Sequence, residues 1–233
     1  MRRISVVTPS YNQGRYIERT ICSVLTQAYP DVEYIICDGA STDETSVVLE
    51  RYRDRAKIIV EPDNGQADAV NKGLRATSGD VIGWLNSDDT YTPGALVTVA
   101  GFFGRHPDVD VVYGDANYLD ADDQIIGAYY TESWNKKRLL SRPFISQPAV
   151  FFRRTVLNRC GDLDPSLHFT LDYEYWLRLP HAGAHFAYLP YTLANARLHS
   201  ESKTETQGLR VYQELEQVLK RYTRRVPDRW ILT

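Results

Sequence analysis

A chain of 233 residues with 43% apolar side chains can bury one large core or two small ones, and its 27 Lys and Arg against 30 Asp and Glu leave a net charge of −3. That balance gives no electrostatic reason to expect nucleic acid as a partner, and the apolar content excludes disorder. No run approaches the ~20 residues of a membrane span and residues 1–9 hold no signal-like apolar stretch, so a cytoplasmic protein is expected. Cys22, Cys37 and Cys160 are odd in number and widely spaced, which predicts buried reduced thiols rather than a disulfide framework or a zinc site.

In chain order, residues 4–82 alternate short β-branched runs with helical spacing, the pattern of βαβ units on a parallel sheet. Strands are predicted at Ile4 to Val7, Glu33 to Cys37, Lys57 to Val60 and Val81 to Leu85. Between them, Tyr16, Ile17, Thr20, Ile21, Val24 and Leu25 share one helical face closed by Pro30, and a capping box of Ser41 and Glu44 opens a second helix to Tyr52. Ala67, Val70, Asn71 and Leu74 make a third. Thr92 as cap with Pro93 in the first turn predicts another helix, and Val109 to Tyr113 a strand. Ala116 to Leu119 and Ile125 to Tyr130 read as a hairpin around the acidic turn at 120–123, and Trp134 to Leu140 as a short helix. Leu171 to Leu179 and Gln207 to Tyr222 have helical spacing, the latter with Leu209, Tyr212, Leu215 and Leu219 on one face. No repeat or linker divides the chain, so 1–233 reads as one domain.

Ligands of parallel α/β sheets bind beyond the carboxyl ends of the strands. Those positions are polar here: Thr8, Pro9, Ser10, Tyr11 and Asn12 after the first strand, Asp38 and Gly39 after the second, residues 61–66 after the third, and Asn86, Ser87, Asp88 and Asp89 after the fourth. Adjacent carboxylates repel unless a cation holds them, so Asp88 and Asp89 suit a hard divalent ion clamping phosphates, although Asp-rich turns are also common. Asp38 suits hydrogen bonding to a nucleobase or ribose, or a simple Asx turn. Neither a glycine-rich dinucleotide fingerprint nor a Gly-Lys-Ser/Thr phosphate loop is present.

Ser5 to Asn12, Asp38 to Asp43, Asp63 to Ala69 with Asn71-Lys72-Gly73, and Leu85 to Asp89 together resemble the family 2 glycosyltransferases, in order and spacing over residues 4–100. The resemblance resumes at Gln147 to Phe152, Asp172 to Arg178 and Arg197-Leu198-His199. It implies an α/β fold of glycosyltransferase type A, a mixed and mostly parallel central sheet flanked by helices, with inversion at the anomeric carbon. Residues 1–100 would form the nucleotide-sugar half, 101–205 the acceptor half and 206–233 a C-terminal helix and tail. By the same resemblance Thr8, Pro9, Tyr11, Asp38, Gln66, Asn71 and Asp88 would bind the donor, a UDP-sugar by preference. Asp89, with His199, would ligate Mn2+ or Mg2+ on the diphosphate. Many relatives have aspartate where this chain has Asn86, which removes one anionic ligand.

Asp172 occupies the place of the carboxylate that takes the acceptor proton, chemistry a hydroxyl needs at neutral pH. An aspartate in a first helical turn is also stabilised by the macrodipole. Leu171 stands where relatives often carry a second acid, and Glu174 is the reserve base. His181 and His185 read as a helix end, and among the tyrosines and tryptophans Trp134 and Tyr173 are candidates to stack on an acceptor sugar. The basic, aromatic end, Lys220 to Arg225 and Arg229 to Leu232, reads as a solvated tail or as peripheral contact with the inner face of an anionic membrane carrying a lipid-linked acceptor. The partners implied are a nucleotide-sugar donor and a saccharide or lipid-linked acceptor. A sugar nucleotidyltransferase would need a glycine-rich basic loop after the first strand, and a non-catalytic binding module of the same fold is the other rival.

Overall fold

Strand β1 (Ile4–Ser10) lies at the centre of a parallel run with β2 (Val32–Asp38), β3 (Lys57–Val60) and β4 (Val81–Trp84). The computed structural model describes residues 2–199 and 208–223. Helices α1 (Ile17–Leu25), α2 (Thr45–Glu50) and α3 (Gln66–Ala76) make the crossovers, as the alternation of β-branched and helical spacing predicts. The second half is antiparallel where it joins the first: β8 (Val150–Arg153) pairs with β4 and with β6 (Val111–Leu119). β6 then runs parallel to β9 (Phe186–Arg197), β9 carries the two-residue β5 (Thr90–Tyr91), and β7 (Ile125–Ala128) folds back on β6. The order is β3-β2-β1-β4-β8-β6-β9-β5, one continuous sheet among the described residues.

Strand alternation sends side chains to two cores, one on each face of this sheet. Ile4, Val6, Val81 and Phe151 pack under α1, α2 and α4 (Ala95–Arg105). Val7, Ile82, Trp84 and Phe152 pack under α3, α7 (Leu171–Arg178) and α8 (Gly208–Tyr222). Two shorter helices, α5 (Lys136–Leu139) and α6 (Arg154–Cys160), complete the elements discussed below.

Several local expectations are corrected. Ser41 does not cap α2; its hydroxyl donates to Asp38 Oδ1 at 2.6 Å, and Asp43 instead accepts the Thr45 amide at 3.0 Å. Helix α4 starts behind Gly94, at φ 81°, with no side-chain cap; the Thr92 hydroxyl donates to the Thr192 carbonyl at 2.6 Å and accepts no helix amide. The two short strands expected at 109–113 and 116–119 are one strand, β6. On α8 the buried stripe is Leu215, Val218 and Leu219, while Leu209 and Tyr212 are exposed. Cys22 is an exposed free thiol, unlike Cys37, which is buried. β5, β8, β9 and α6 were not foreseen as elements. Gln207 and Arg224 to Leu232 lie outside the described residues, and no described helix is long and apolar enough to cross a membrane.

Candidate active site

The loops after β1 and β2 are stitched together by hydrogen bonds. The amides of Asn12, Gln13 and Gly14 donate to Ser41 Oγ (2.8 Å), Thr45 Oγ1 (2.8 Å) and Asp43 Oδ2 (2.9 Å), and Asn12 Oδ1 accepts the Thr42 amide at 2.9 Å. Asn12 adopts φ 52°, a left-handed conformation that asparagine tolerates. The result is a rigid wall at the carboxyl end of the sheet.

Thr8, Pro9 and Asp38 are buried within that wall, with Thr8 Oγ1 3.1 Å from the Tyr34 hydroxyl. The Asp38 carboxylate accepts both the amide (2.9 Å) and hydroxyl (2.6 Å) of Ser41, the Asx geometry read as one of its two alternatives. Tyr11 is 59% exposed and forms the rim. Asp63, absent from the expected set, sits opposite: a Cβ on Gly39 would stand 2.4 Å from Asp63 Oδ2 and 3.3 Å from the Tyr11 ring. Asp63, Gly39 and Tyr11 therefore line one narrow cleft, and the glycine is what lets the two loops approach so closely. Its signal in the sequence was the acidic turn after β3. Asn71 does not face this cleft. Its side-chain amide is turned into the core, where it donates to the Leu163 carbonyl and accepts the Leu163 amide, both at 2.9 Å.

After β4 the acidic pair splits. Asp89 is 5% exposed; its Oδ1 accepts the Arg197 amide at 2.9 Å and its backbone carbonyl accepts the Thr20 hydroxyl at 2.7 Å. Burial, reinforced by the neighbouring Asp88, pushes its carboxyl well above the usual range despite the Arg197 amide. Asp88 is the more exposed of the two: His199 Nε2 lies 3.1 Å from its Oδ2, with the imidazole packed on Tyr16 at 4.7 Å between ring centres. His199 is thus paired with Asp88 rather than with Asp89, the expected partner. Arg197, its side chain fully buried, fixes this corner by donating to the carbonyls of Asp88 (2.8 Å) and Asp120 (2.7 Å) and to Asp123 Oδ1 (2.5 Å).

Asn86 explains itself as an amide. Its Oδ1 accepts from Gln66 Nε2 and Trp84 Nε1, both at 2.9 Å, while its Nδ2 donates to Gln147 Oε1 at 3.0 Å and faces Asp89 Oδ2 at 3.4 Å. Gln147 in turn donates to the Trp84 carbonyl at 2.7 Å, so Gln66 and Gln147 are both tied to the end of β4.

The other wall is the loop leading into α7. A Cβ on Gly65 would lie 3.7 Å from His168 Nδ1, which sets that loop against the turn after β3. Asp172, half-buried in the first turn of α7, has its carboxyl raised to about 6 by burial, against the pull of the Tyr173 and Asp172 amides and with a further push from Glu214. Glu174 is not a reserve base: it is buried, ion-paired to Arg178 at 3.0 Å, and accepts the Tyr222 hydroxyl at 2.6 Å. Tyr173 is a core residue whose hydroxyl donates to the Leu139 carbonyl at 2.5 Å, and Trp134 stacks on Phe186 at 4.2 Å, which covers one of its faces.

Residues 5–161 match the family model described as Glycosyl transferase family 2. An uncharacterized glycosyltransferase of Nostoc sp. is 30% identical over 176 residues, covering 70% of this chain and 54% of that protein. The chain thus spans about half the length of that curated relative. Among solved structures, S. aureus TarS in complex with UDP-GlcNAc superposes with a TM-score of 0.76 at 18% identity, over 93% of this chain and 65% of that one. Mannosyltransferase PcManGT from Pyrobaculum calidifontis, in complex with GDP-Man and Mn2+, gives 0.73 at 18% identity over 98% of this chain and 67% of that one.

Proposed function

Because the chain belongs to glycosyl transferase family 2, we propose that it transfers a sugar, with inversion, from a nucleoside-diphosphate donor to a hydroxyl of a saccharide or lipid-linked acceptor. The fold is glycosyltransferase type A, so residues 1–100 are read as the donor half and 101–205 as the acceptor half. The observation that carries the reading is Asp172, a half-buried carboxylate with its pKa raised to about 6, four residues after His168, which lies against Gly65 in the turn after β3. A base of that strength is matched to neutral pH.

Tyr11, Gly39 and Asp63 offer a slot for a nucleobase or ribose, with an aromatic face on one side and a carboxylate on the other. Asp88 and His199 supply one oxygen and one nitrogen donor to a divalent cation. Among the described residues no three His, Cys, Asp or Glu side chains cluster as a cage, which fits an ion that takes its remaining ligands from a diphosphate. Bound there, Mn2+ or Mg2+ would neutralise the charge of the departing nucleoside diphosphate. Asp89 serves this corner from beneath, by holding Arg197 and with it the approach of β9. At the reacting end the acceptor oxygen forms its bond to the anomeric carbon as Asp172 takes the hydroxyl proton. The bond to the donor phosphate oxygen breaks on the opposite face, and the nucleoside diphosphate leaves with the electron pair.

A UDP-sugar is the favoured donor, in keeping with the UDP-GlcNAc bound by TarS, although PcManGT binds GDP-Man. Calorimetry with UDP, GDP, dTDP and CDP, each with and without Mn2+, is the test, run on the wild type and on Asp172→Asn. One nucleotide should bind best and with metal dependence in both proteins, while Asp172→Asn loses more than about a hundredfold in turnover of the matching sugar donor. Turnover within about tenfold of wild type would remove Asp172 as the base. Failure of a folded protein to bind any nucleotide would favour a non-catalytic module.

A further inference from the structure

The residue before helix α7 does not cap it; the first-turn amides of Asp172 and Tyr173 are met by the Asp172 carboxylate itself. Thr170 occupies the N-cap position, yet its side chain makes no hydrogen bond to the helix it precedes. The loop entering it is held by a carboxylate from a distant part of the chain: Glu214 of α8 accepts the amides of His168 (2.8 Å), Phe169 (2.8 Å) and Thr170 (2.7 Å) and the Thr170 hydroxyl (2.8 Å). Three consecutive residues thus point their donors at one side chain, two positions before Asp172. We propose that Glu214 is a positioning residue for Asp172, fixing the start of α7 so that the carboxylate is held at the cleft wall; this rests on the reading of Asp172 as the base.

Anchoring α8 does not require this arrangement. Leu215, Val218 and Leu219 already bury the helix in the core, and Arg221 and Tyr222 tie its far end to Asp164 (2.7 Å) and Glu174 (2.6 Å). A glutamate whose only duty was solubility would face water. Instead burial, which by itself would raise its pKa, is outweighed by the amides of His168, Phe169 and Thr170, and the Glu214 carboxyl is held below its usual range. It is therefore anionic when Asp172 titrates. Two acidic groups share one helix start, where the macrodipole favours negative charge. Among the described residues, Glu214 from α8 and Tyr129 from the segment after β7 are titratable groups that interact electrostatically with Asp172. The Glu214 charge raises the Asp172 pKa, so its removal lowers that pKa and extends activity toward acid.

The experiment compares wild type, Glu214→Gln, Glu214→Ala and Asp172→Asn for kcat and donor KM between about pH 4.5 and pH 8, with nucleotide calorimetry and melting curves alongside. Glu214→Gln keeps an acceptor for Phe169 and Thr170 but no charge, so its acid limb in kcat should move to lower pH. Glu214→Ala also loses the clamp and should drop kcat by about tenfold or more with donor KM and nucleotide affinity within about twofold. A purely structural role would lower melting temperature without moving the limb. An unmoved limb and wild-type kcat in the glutamine variant, with Asp172→Asn inactive, would overturn the positioning role alone. An active Asp172→Asn would overturn the base assignment and the positioning role with it. Should the alanine variant fail to fold, the limb in Glu214→Gln decides.

Discussion

An aspartate at position 86 would meet Gln147 Oε1 and Asp89 Oδ2, 3.0 and 3.4 Å from the present amide nitrogen, with no hydrogen to offer either. The cost of leaving such groups unpaired in a partly buried site is about 1–3 kcal/mol. Asn86→Asp should therefore lower stability by that order in urea titration, and calorimetry should find no gain in Mn2+-dependent nucleotide binding. A tighter metal-dependent site in a stable variant would show that the amide is a weakened ligand rather than a structural hub. At this scale the sequence marked Asn86 as a departure but not as the partner of Gln66, Trp84 and Gln147, because those residues meet only through the fold. The same limit explains Asp63 and Asn71. Residue type and spacing identified polar positions after strands, whereas which of them face the cleft depends on side-chain direction, which the core and the opposing loop decide.

Between elements, α3 packs tightly on β1 at Gly73, where an added Cβ would lie 2.3 Å from Val7 Cγ1. Gly73→Ala has no room and must push the helix off the strand. A cost of about 1–3 kcal/mol is expected for such overpacking, measurable as a shift in the urea midpoint with unchanged slope. Stabilisation, which alanine usually confers inside a helix, would show that α3 is free to shift. The parallel strands and α1 and α3 were legible because each buries a face and so repeats its apolar spacing. The caps were less so: Ser41 and Thr92 have the right chemistry for helix starts, yet the Ser41 oxygen accepts the Asn12 amide from the neighbouring loop, and the Thr92 hydroxyl is turned to the Thr192 carbonyl. β9 was hidden for a different reason. It carries Pro190, its register shifts opposite Gly114 and Asp115, and its exposure does not alternate, so no two-residue period survives.

Over the whole molecule, one sheet separates two main cores, and β1, β4, β6 and β8 each contribute to both, while β2 turns Ile35 and Cys37 into a small third cluster with Ala69. Neither layer can be lost without exposing the back of the other, which predicts a single unfolding transition. In a Trp230→Phe variant, tryptophan fluorescence reports the face holding Trp84, Trp134 and Trp176, and a dye on the exposed Cys22 reports α1 on the opposite face. The two denaturation curves should superimpose, whereas separate midpoints would mean that the halves unfold as independent units. The fold class was legible from the first hundred residues. The joining of β4 to β8 and of β6 to β9 was not, since pairing between segments dozens of residues apart leaves no local trace.

Strand β9 has a consequence in time as well as in space. It is the last strand among the described residues, yet it lies inside the sheet, between β6 and β5. β5 has no other strand partner among the described residues, so Thr90 and Tyr91 wait for Asn195 and Ala194, made about a hundred residues later. Until then a nascent chain holds β6 with one edge bare and the acidic corner without Arg197 or His199. Long-range pairing of this kind is slow and leaves strand edges open to the wrong partners. The site that the parallel strands begin to build early is therefore finished only when β9 slides in between β6 and β5.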